Sequence, residues 1–246
     1  MSESIDIPDS IIAALRDARH VCVLTGAGIS AESGVPTFRG AQDGLWAKFD
    51  PYELASPAGF ERDPALVWRW YRWRRELVAK AEPNPAHRAL AKLSSLVPRL
   101  TLVTQNVDGL HQRAGSRQVI EFHGNLFVTR CIAEGCVIDV DDTAEVPVCP
   151  NCGAAARPGV VWFGETIAEH ALNESFAAAA DCDTFLSVGT SSLVYPAAGL
   201  AEAATDAGAI VVEINPEPTE LSSAFNFTLQ GKAGSVLPDL IESIAL

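Results

Sequence analysis

The sequence predicts an α/β fold, a parallel sheet covered by helices on both faces with a smaller lobe inserted. Three observations lead there. Short apolar, β-branched runs alternate with helical patterns along most of the chain. A glycine-rich turn follows the first of those runs. Two stretches, 41–80 and 123–158, break the rhythm and read as insertions.

Residues 8–19 form the first helix, with Pro8 near its start, leading into a strand at 21–25 (VCVLT). Gly26, Gly28 and Ala31 then make a G-x-G-x-x-A turn from strand into helix. There the backbone can approach a pyrophosphate, and N–H groups at a helix start can face its charge. A tight strand–helix turn explains the same residues without a ligand. Residues 36–40 (PTFRG) add a stiff, aromatic and cationic segment that a cofactor-binding turn does not need. Inside the first insertion, Asp63 and Pro64 start a helix as N-cap and first turn. A helix at 85–96 precedes a second buried strand at 100–104, and 119–122 is a short third. A helix at 167–180, a strand at 184–188, a helix at 196–207 and a strand at 209–214 follow. A weaker strand at 225–229 and a helix at 236–244 complete the order.

The expected division is a larger domain from 1–40, 81–122 and 159–246, with 41–80 and 123–158 forming the small one. With 246 residues, 48% of them apolar, the chain can bury one large core plus an insert. No apolar run approaches the ~18 residues of a membrane span, so no membrane partner is expected. The acidic start, MSESIDIPDS, lacks the basic-then-apolar layout of a secretion signal, and a cytoplasmic protein is expected. Net charge is −13, and only four of 18 cationic residues are lysine. Such a surface repels nucleic-acid phosphates and attracts basic peptides, although general solubility explains the charge as well. Oligomeric state is not legible.

Cys131, Cys136, Cys149 and Cys152 follow C-x4-C-x12-C-x2-C, with Pro150 and Gly153 beside the second pair. Two cysteine pairs across a short loop can present four thiolates tetrahedrally to zinc. Four sulfurs close the coordination sphere, so one structural zinc per chain is expected, without a catalytic position. Cys22 and Cys182 lie in or beside apolar runs and read as small core residues.

Residues 104–111 (TQNVDGLH) sit at the carboxyl end of the second strand, where open parallel sheets bind ligands. Gln105, Asn106 and Asp108 offer groups suited to a ribose or a carboxamide; a polar turn capping the next helix explains them too. His123 ends the third strand just before the cysteine-rich insertion. There it would face the crevice with a pKa suited to taking a proton near neutrality.

GAGISAESGVPTFRG (26–40), TQNVDGLHQRAG (104–115), FHG (122–124), the cysteine quartet, PGVVWFGE (158–165), GTSSLVYPAAGL (189–200) and INPEP (214–218) occur in this order. Over almost its whole length the chain resembles the sirtuins, NAD-dependent protein-lysine deacylases. The resemblance implies a Rossmann-like domain with a smaller zinc-binding and helical lobe, and NAD+ meeting acylated lysine side chains of proteins in the cleft between them. It assigns Gly26, Ala27, Gly28 and Ser30 to the NAD phosphates. Phe38 and Arg39 would close over the nicotinamide end, with Trp46 also on the cofactor side. Gln105, Asn106 and Asp108 would hold the nicotinamide ribose and carboxamide, and His123 would be the general base, so that His123, Asn106 and Asp108 form the catalytic set. Gly189, Thr190 and Ser191 would line the cofactor site, with Asn215 and Glu217 at the adenosine ribose and Ala233 near adenine. The backbone of Val160, Val161, Trp162 and Phe163 would pair with the substrate peptide as an added strand. The implied reaction releases nicotinamide and leaves O-acyl-ADP-ribose and free lysine.

On the helix beginning at Pro64, Leu66, Val67, Trp70, Tyr71, Leu77 and Val78 mark an apolar stripe, and Arg74 falls inside it on the face of Tyr71. Arg69, Arg72 and Arg75 read as a solvated face. A cation inside the stripe must snorkel, find an internal carboxylate or meet an anionic ligand. The Y-x-x-R pair resembles the sirtuin subgroup that removes succinyl, malonyl and glutaryl groups, and Ala55 would leave room for a longer acyl chain. Desuccinylation and demalonylation, with deacetylation beside them, are expected. A deacetylase without acidic-acyl preference and a protein mono-ADP-ribosyltransferase are the alternatives. A dehydrogenase is disfavoured, because no acidic residue ends a second strand about twenty residues past the glycine turn.

Overall fold

The computed structural model describes residues 6–36, 51–141 and 143–245. In chain order its elements are α1 (Asp9–Asp17), β1 (Val21–Thr25), a 3-10 segment (Ala27–Ser33), α2 (Pro51–Leu54), α3 (Pro57–Arg62), α4 (Pro64–Lys80), α5 (Pro85–Leu93), β2 (Leu100–Thr104), α6 (Leu110–Arg113) and β3 (Val119–Glu121). There follow β4 (Gly124–Cys131), β5 (Ala156–Val160), α7 (Glu169–Asp181), β6 (Thr184–Val188), α8 (Gly199–Asp206), β7 (Ile210–Asn215), β8 (Phe227–Gln230) and α9 (Ala233–Ala245).

Six strands pair in the order β3-β2-β1-β6-β7-β8, all parallel. The chain therefore winds outward from β1 in one direction and then, from β6, in the other. The carboxyl ends of β1 and β6 flank the point where strand order reverses, which is where doubly wound sheets open a crevice. Period-2 alternation sorts the strands between two cores. Val21, Val23, Leu186, Val188, Val212 and Ile214 face one packed by α1, α5 and α9, which contribute Ile11, Leu15, Leu90, Leu93, Leu237 and Ile241. Cys22, Leu24, Phe185 and Val211 face the other, with Ala178 and Ala179 of α7 and Leu200 and Ala204 of α8. The two isolated cysteines are core residues, as expected.

A third core is separate. Phe60, Trp68, Tyr71 and Val78 from α3 and α4 pack on Leu126, Cys131, Cys149, Ala156, Val160 and Trp162. α4 begins where expected, the Asp63 carboxylate accepting from Leu66 N–H at 2.8 Å with Pro64 in the first turn. Trp68, outside the expected stripe, is fully buried and donates its indole N–H to the Ala156 carbonyl at 2.9 Å. Arg75 is not a solvated residue. Its guanidinium donates to the carbonyls of Leu126 at 2.7 Å and Val128 at 3.1 Å, and so pins α4 to β4. Arg69 and Arg72 reach Glu145 and Ala144 across the same lobe.

Other boundaries differ from expectation for local reasons. The antiparallel pair β4–β5 has no clear signal, because its strands carry Arg, Pro and Gly at 124–131 and 156–160. β5 runs across the expected boundary at 158/159. The glycine turn leads into a 3-10 segment rather than an α-helix. α8 starts at Gly199, since the N–H groups of Ala198 and Gly199 close turns onto Val194 and Pro196. α9 starts at Ala233, three residues before its apolar pattern becomes visible.

At the switch point the chain approaches itself closely. Gly26 N–H donates to Val188 O at 3.0 Å and Gly28 N–H to Gly189 O at 2.8 Å. A Cβ on Gly189 would lie 2.5 Å from the Ile29 nitrogen, and φ there is +59°. Gly189→Ala is expected to cost about 2–4 kcal/mol, from overpacking added to left-handed strain. Gly208 also has a positive φ, but nothing within 4 Å of its Cβ position, so Gly208→Ala should cost only about 1–2 kcal/mol. Denaturant melts decide it; equal losses would remove the contact as the cause.

Candidate active site

Strand ends β1, β2, β6 and β7 are laced together around the crevice. Gln105 Nε2 donates to Thr190 Oγ1 at 2.9 Å, and Asn215 Nδ2 to the Thr190 carbonyl at 3.0 Å. Gly189 N–H donates to Ile214 O at 2.9 Å. Gly189, Thr190, Asn215 and Gln105 therefore form one rim, which Ser191 follows in the chain. Glu217 is exposed on the loop beyond β7, and Ala233 is buried at the start of α9.

Gly26 and Gly28 spend their N–H groups on the β6 loop, so their contribution is close approach rather than donation. Ser30 is likewise not turned out toward a phosphate. Its buried hydroxyl donates to Asp108 Oδ2 at 2.7 Å and accepts from Asn106 Nδ2 at 3.1 Å. Asn106 Nδ2 also donates to the Gly26 carbonyl at 3.0 Å, so what Asn106 can offer a ligand is its Oδ1 acceptor. Asp108 caps α6 through Leu110 N–H at 2.9 Å. Phe38, Arg39 and Trp46 lie outside the described residues.

His123 is half-buried beside this cluster. Its Nδ1 lies 3.1 Å from the Gln105 carbonyl. A carbonyl only accepts, so Nδ1 carries the proton and Nε2 keeps the lone pair. Burial pulls the imidazole pKa below its ordinary value, against the opposing pull of the Gln105 carbonyl. The result is a neutral base of one defined tautomer.

Beneath lies a polar layer that the sequence reading missed. His87 Nδ1 accepts from Asn84 N–H at 3.3 Å, completing a capping box on α5, and its Nε2 lies 3.4 Å from Ser30 Oγ. His111 Nε2 lies 2.9 Å from Thr25 Oγ1, whose hydroxyl donates to Thr104 Oγ1 at 2.8 Å. The two imidazoles meet edge to face at 4.9 Å. The N-P-x-H sequence at 84–87 was the available signal for the first.

On the other side, Tyr71 and Arg74 of α4 are neighbours. The Arg74 guanidinium stacks 4.8 Å from the Trp70 ring and 5.9 Å from the Tyr71 ring. Among the described residues it has no hydrogen bond or ion pair. Burial lowers its pKa, opposed first by Tyr71 and then, more weakly, by the Asp108 carboxylate. At residues 161–163 the backbone donors are engaged within the protein. The N–H groups of Val161, Trp162 and Phe163 donate to His123 O, Glu165 Oε2 and Ala55 O, at 2.9, 2.8 and 2.9 Å. These donors are spoken for, and an added peptide strand has none of them to use.

In the lobe beyond, the thiol sulfurs of Cys131, Cys149 and Cys152 lie within 4.8 Å of one another, with Cys131 and Cys152 at 3.5 Å. Tetrahedral zinc with bonds of about 2.3 Å separates its sulfurs by about 3.8 Å, so the three fit that ion. The Cys136 sulfur stands beside Glu134 instead, at 3.7 Å, while its carbonyl accepts from Cys131 N–H at 2.9 Å. The turn from 131 to 136 thus returns the fourth cysteine next to the other three.

A model of the Sir2 family matches residues 26–196, more than half of the chain. The chain belongs to the Sir2 family. This Sir2 protein is 49% identical over 249 residues to an NAD-dependent protein deacylase of Methylococcus capsulatus, covering 97% of this chain and 98% of that one. It is 50% identical to NAD-dependent protein deacylase 1 of Pseudomonas aeruginosa, covering 94% and 97%. A solved Sir2 homolog–NAD complex superimposes with a TM-score of 0.92 at 41% identity, covering 100% of this chain and 96% of that one. Among the described residues no helix is long and apolar enough to cross a membrane.

Burial, foremost, lowers the pKa of His87 to about 4 and that of His111 to about 3. In the unfolded chain both titrate near 6.5. Between those values the unfolded state binds protons that the folded state refuses, so stability is full above pH 6.5 and lost as pH falls toward 4. The expected slope is about 1.4 kcal/mol per pH unit for each histidine. Denaturant melts from pH 7.5 to 4.5 test this; His87→Asn should reduce the slope by about 1.4 kcal/mol per pH unit, and an unchanged slope would contradict the assignment.

Proposed function

We infer that this chain is an NAD-dependent protein-lysine deacylase whose acyl preference runs to succinyl and malonyl groups, with acetyl also accepted. The observation that carries the reaction is the single-tautomer His123 beside the Asn106–Ser30–Asp108 cluster, at the carboxyl ends of β1, β2 and β3. NAD+ supplies a nicotinamide ribose whose glycosidic bond is broken by the acyl oxygen of a protein lysine, yielding nicotinamide, free lysine and O-acyl-ADP-ribose.

The residues divide the work by what they have left to offer. His123 Nε2 takes the ribose hydroxyl proton. Asn106 presents its Oδ1, and Asp108, anchored twice, supplies negative charge near the carboxamide and the developing positive ribose. The rim of Gln105, Thr190, Ser191, Asn215 and Glu217, with Ala233, takes the dinucleotide. Gly26, Ala27 and Gly28 let its phosphates approach the β1–β6 join, and Ser30 holds the cluster together from below. The fourth cysteine completes a purely structural zinc site. We assign 1–40, 81–122 and 159–246 to the nucleotide domain and 41–80 with 123–158 to the small one, in a cytoplasmic protein.

The acyl preference rests on Arg74. A half-buried guanidinium without a carboxylate partner among the described residues is costly unless a ligand supplies one. Tyr71 beside it adds a hydroxyl, and the small Ala55 leaves length for a four-carbon chain. The backbone of Val160, Val161, Trp162 and Phe163 runs beside the substrate peptide, with the N–H groups of the last three already engaged inside the protein.

The experiment is mass spectrometry of one peptide, unmodified, acetylated or succinylated, with enzyme and with or without NAD+. Loss of the acyl group only with NAD+ is expected; label on the unmodified peptide would instead mark an ADP-ribosyltransferase. Arg74→Met should lower succinyl-lysine kcat/KM by about 100-fold and acetyl-lysine kcat/KM by only a few-fold. Equal losses would remove Arg74 as the carboxylate reader.

A further inference from the structure

We propose that Trp162 is a specificity-determining residue that acts through Tyr71, by fixing where the phenol proton points. The inference rests on the reading that Tyr71 and Arg74 receive an acyl carboxylate.

Trp162 Nε1–H donates to the Tyr71 hydroxyl at 2.9 Å, and both side chains are buried. An indole nitrogen can only donate, so the phenol oxygen is the acceptor. A phenol proton prefers the ring plane, which offers two orientations. The indole occupies one of them, and the proton takes the other. Tyr71 has no second hydrogen-bond partner among the described residues, so that proton is held for a ligand. Arg74, on the same helix face with its guanidinium 5.9 Å from the Tyr71 ring, adds the charge. A neutral acyl oxygen gains little from this pair, whereas a carboxylate accepts from both.

The indole is itself clamped. The Arg157 guanidinium lies 3.5 Å from its ring centre, and the Phe60 ring packs at 5.2 Å. Arg157 Nη2 donates to Glu165 Oε2 at 2.8 Å, and that same oxygen accepts from Trp162 N–H at 2.8 Å. An ion pair at the end of β5 thus sets the direction of a hydroxyl on α4. Without the indole N–H, the Tyr71 hydroxyl is free to turn its proton inward and offer Arg74 a lone pair, which competes with the substrate.

The test uses zinc-loaded full-length enzyme and one peptide carrying succinyl- or acetyl-lysine, and reads the ratio of the two kcat/KM values. The ratio cancels losses in peptide seating that both substrates share. Trp162→Phe should lower it roughly five- to tenfold through the succinyl KM, and Tyr71→Phe by at least as much. In the Tyr71→Phe background, Trp162→Phe should lower it no further. A ratio unchanged by Trp162→Phe overturns the proposal, as does an equal fall in the Tyr71→Phe background. If Arg74→Met and Tyr71→Phe both leave the ratio untouched, the carboxylate reading itself is what fails. A second readout needs no variant: the Trp162 indole N–H resonance should move on adding succinyl-lysine peptide and stay in place with acetyl-lysine peptide. Equal movement with both overturns the proposal.

Discussion

The chemistry of the crevice hangs on the hydrogen bond from His123 Nδ1–H to the Gln105 carbonyl, 3.1 Å long. It joins the end of β3 to the end of β2 and decides which imidazole nitrogen is basic. Burial favours the neutral ring, so Nε2 holds a lone pair without first losing a proton. The surrounding polar groups are largely engaged with one another. Ser30 and Asn106 have their donors committed within the cluster, Asp108 accepts from Ser30 and from Leu110 N–H, and Gln105 and Asn215 each donate to Thr190. At the cluster itself the Asn106 Oδ1, the Asp108 carboxylate and the His123 Nε2 lone pair are the groups turned to acceptance, which suits a substrate developing positive charge.

That arrangement needs a rigid floor. Two neutral histidines, an asparagine cap and two threonines lie under the cluster, where charge is too costly to keep. Buried polar layers of this kind specify geometry when nearly every member is satisfied. Among the described residues, His111 Nδ1 is the one ring nitrogen of the pair without a hydrogen-bond partner. The close approach of Gly28 to Gly189 locks the same floor from the sheet side.

Much of this was legible in the sequence, and the limits have physical causes. Strands β1, β2, β6 and β7 were visible because both faces are buried and their residues are almost uniformly apolar. β4 and β5 were not, since each serves a small lobe and carries turn formers. Cys131, Cys149 and Cys152 and the 104–108 segment stood out in the sequence because their chemistry-bearing residues recur at short, regular spacings. His87 and His111 escaped because a histidine at a helix cap looks like surface until tertiary packing encloses it. Arg75 was misjudged for a related reason: one step around a helix separates a solvated arginine from one that binds β4 carbonyls. The glycine turn announced tight backbone, but only the structure separates close approach from donation.

If this account is right, His123 is needed for turnover and not for holding the dinucleotide. The direct measurement is a pair of titrations on His123→Ala, one of NAD+ binding by calorimetry and one of peptide deacylation. The account predicts NAD+ affinity within a few-fold of the unaltered enzyme and deacylation lower by at least 100-fold. Deacylation near the unaltered rate would contradict it.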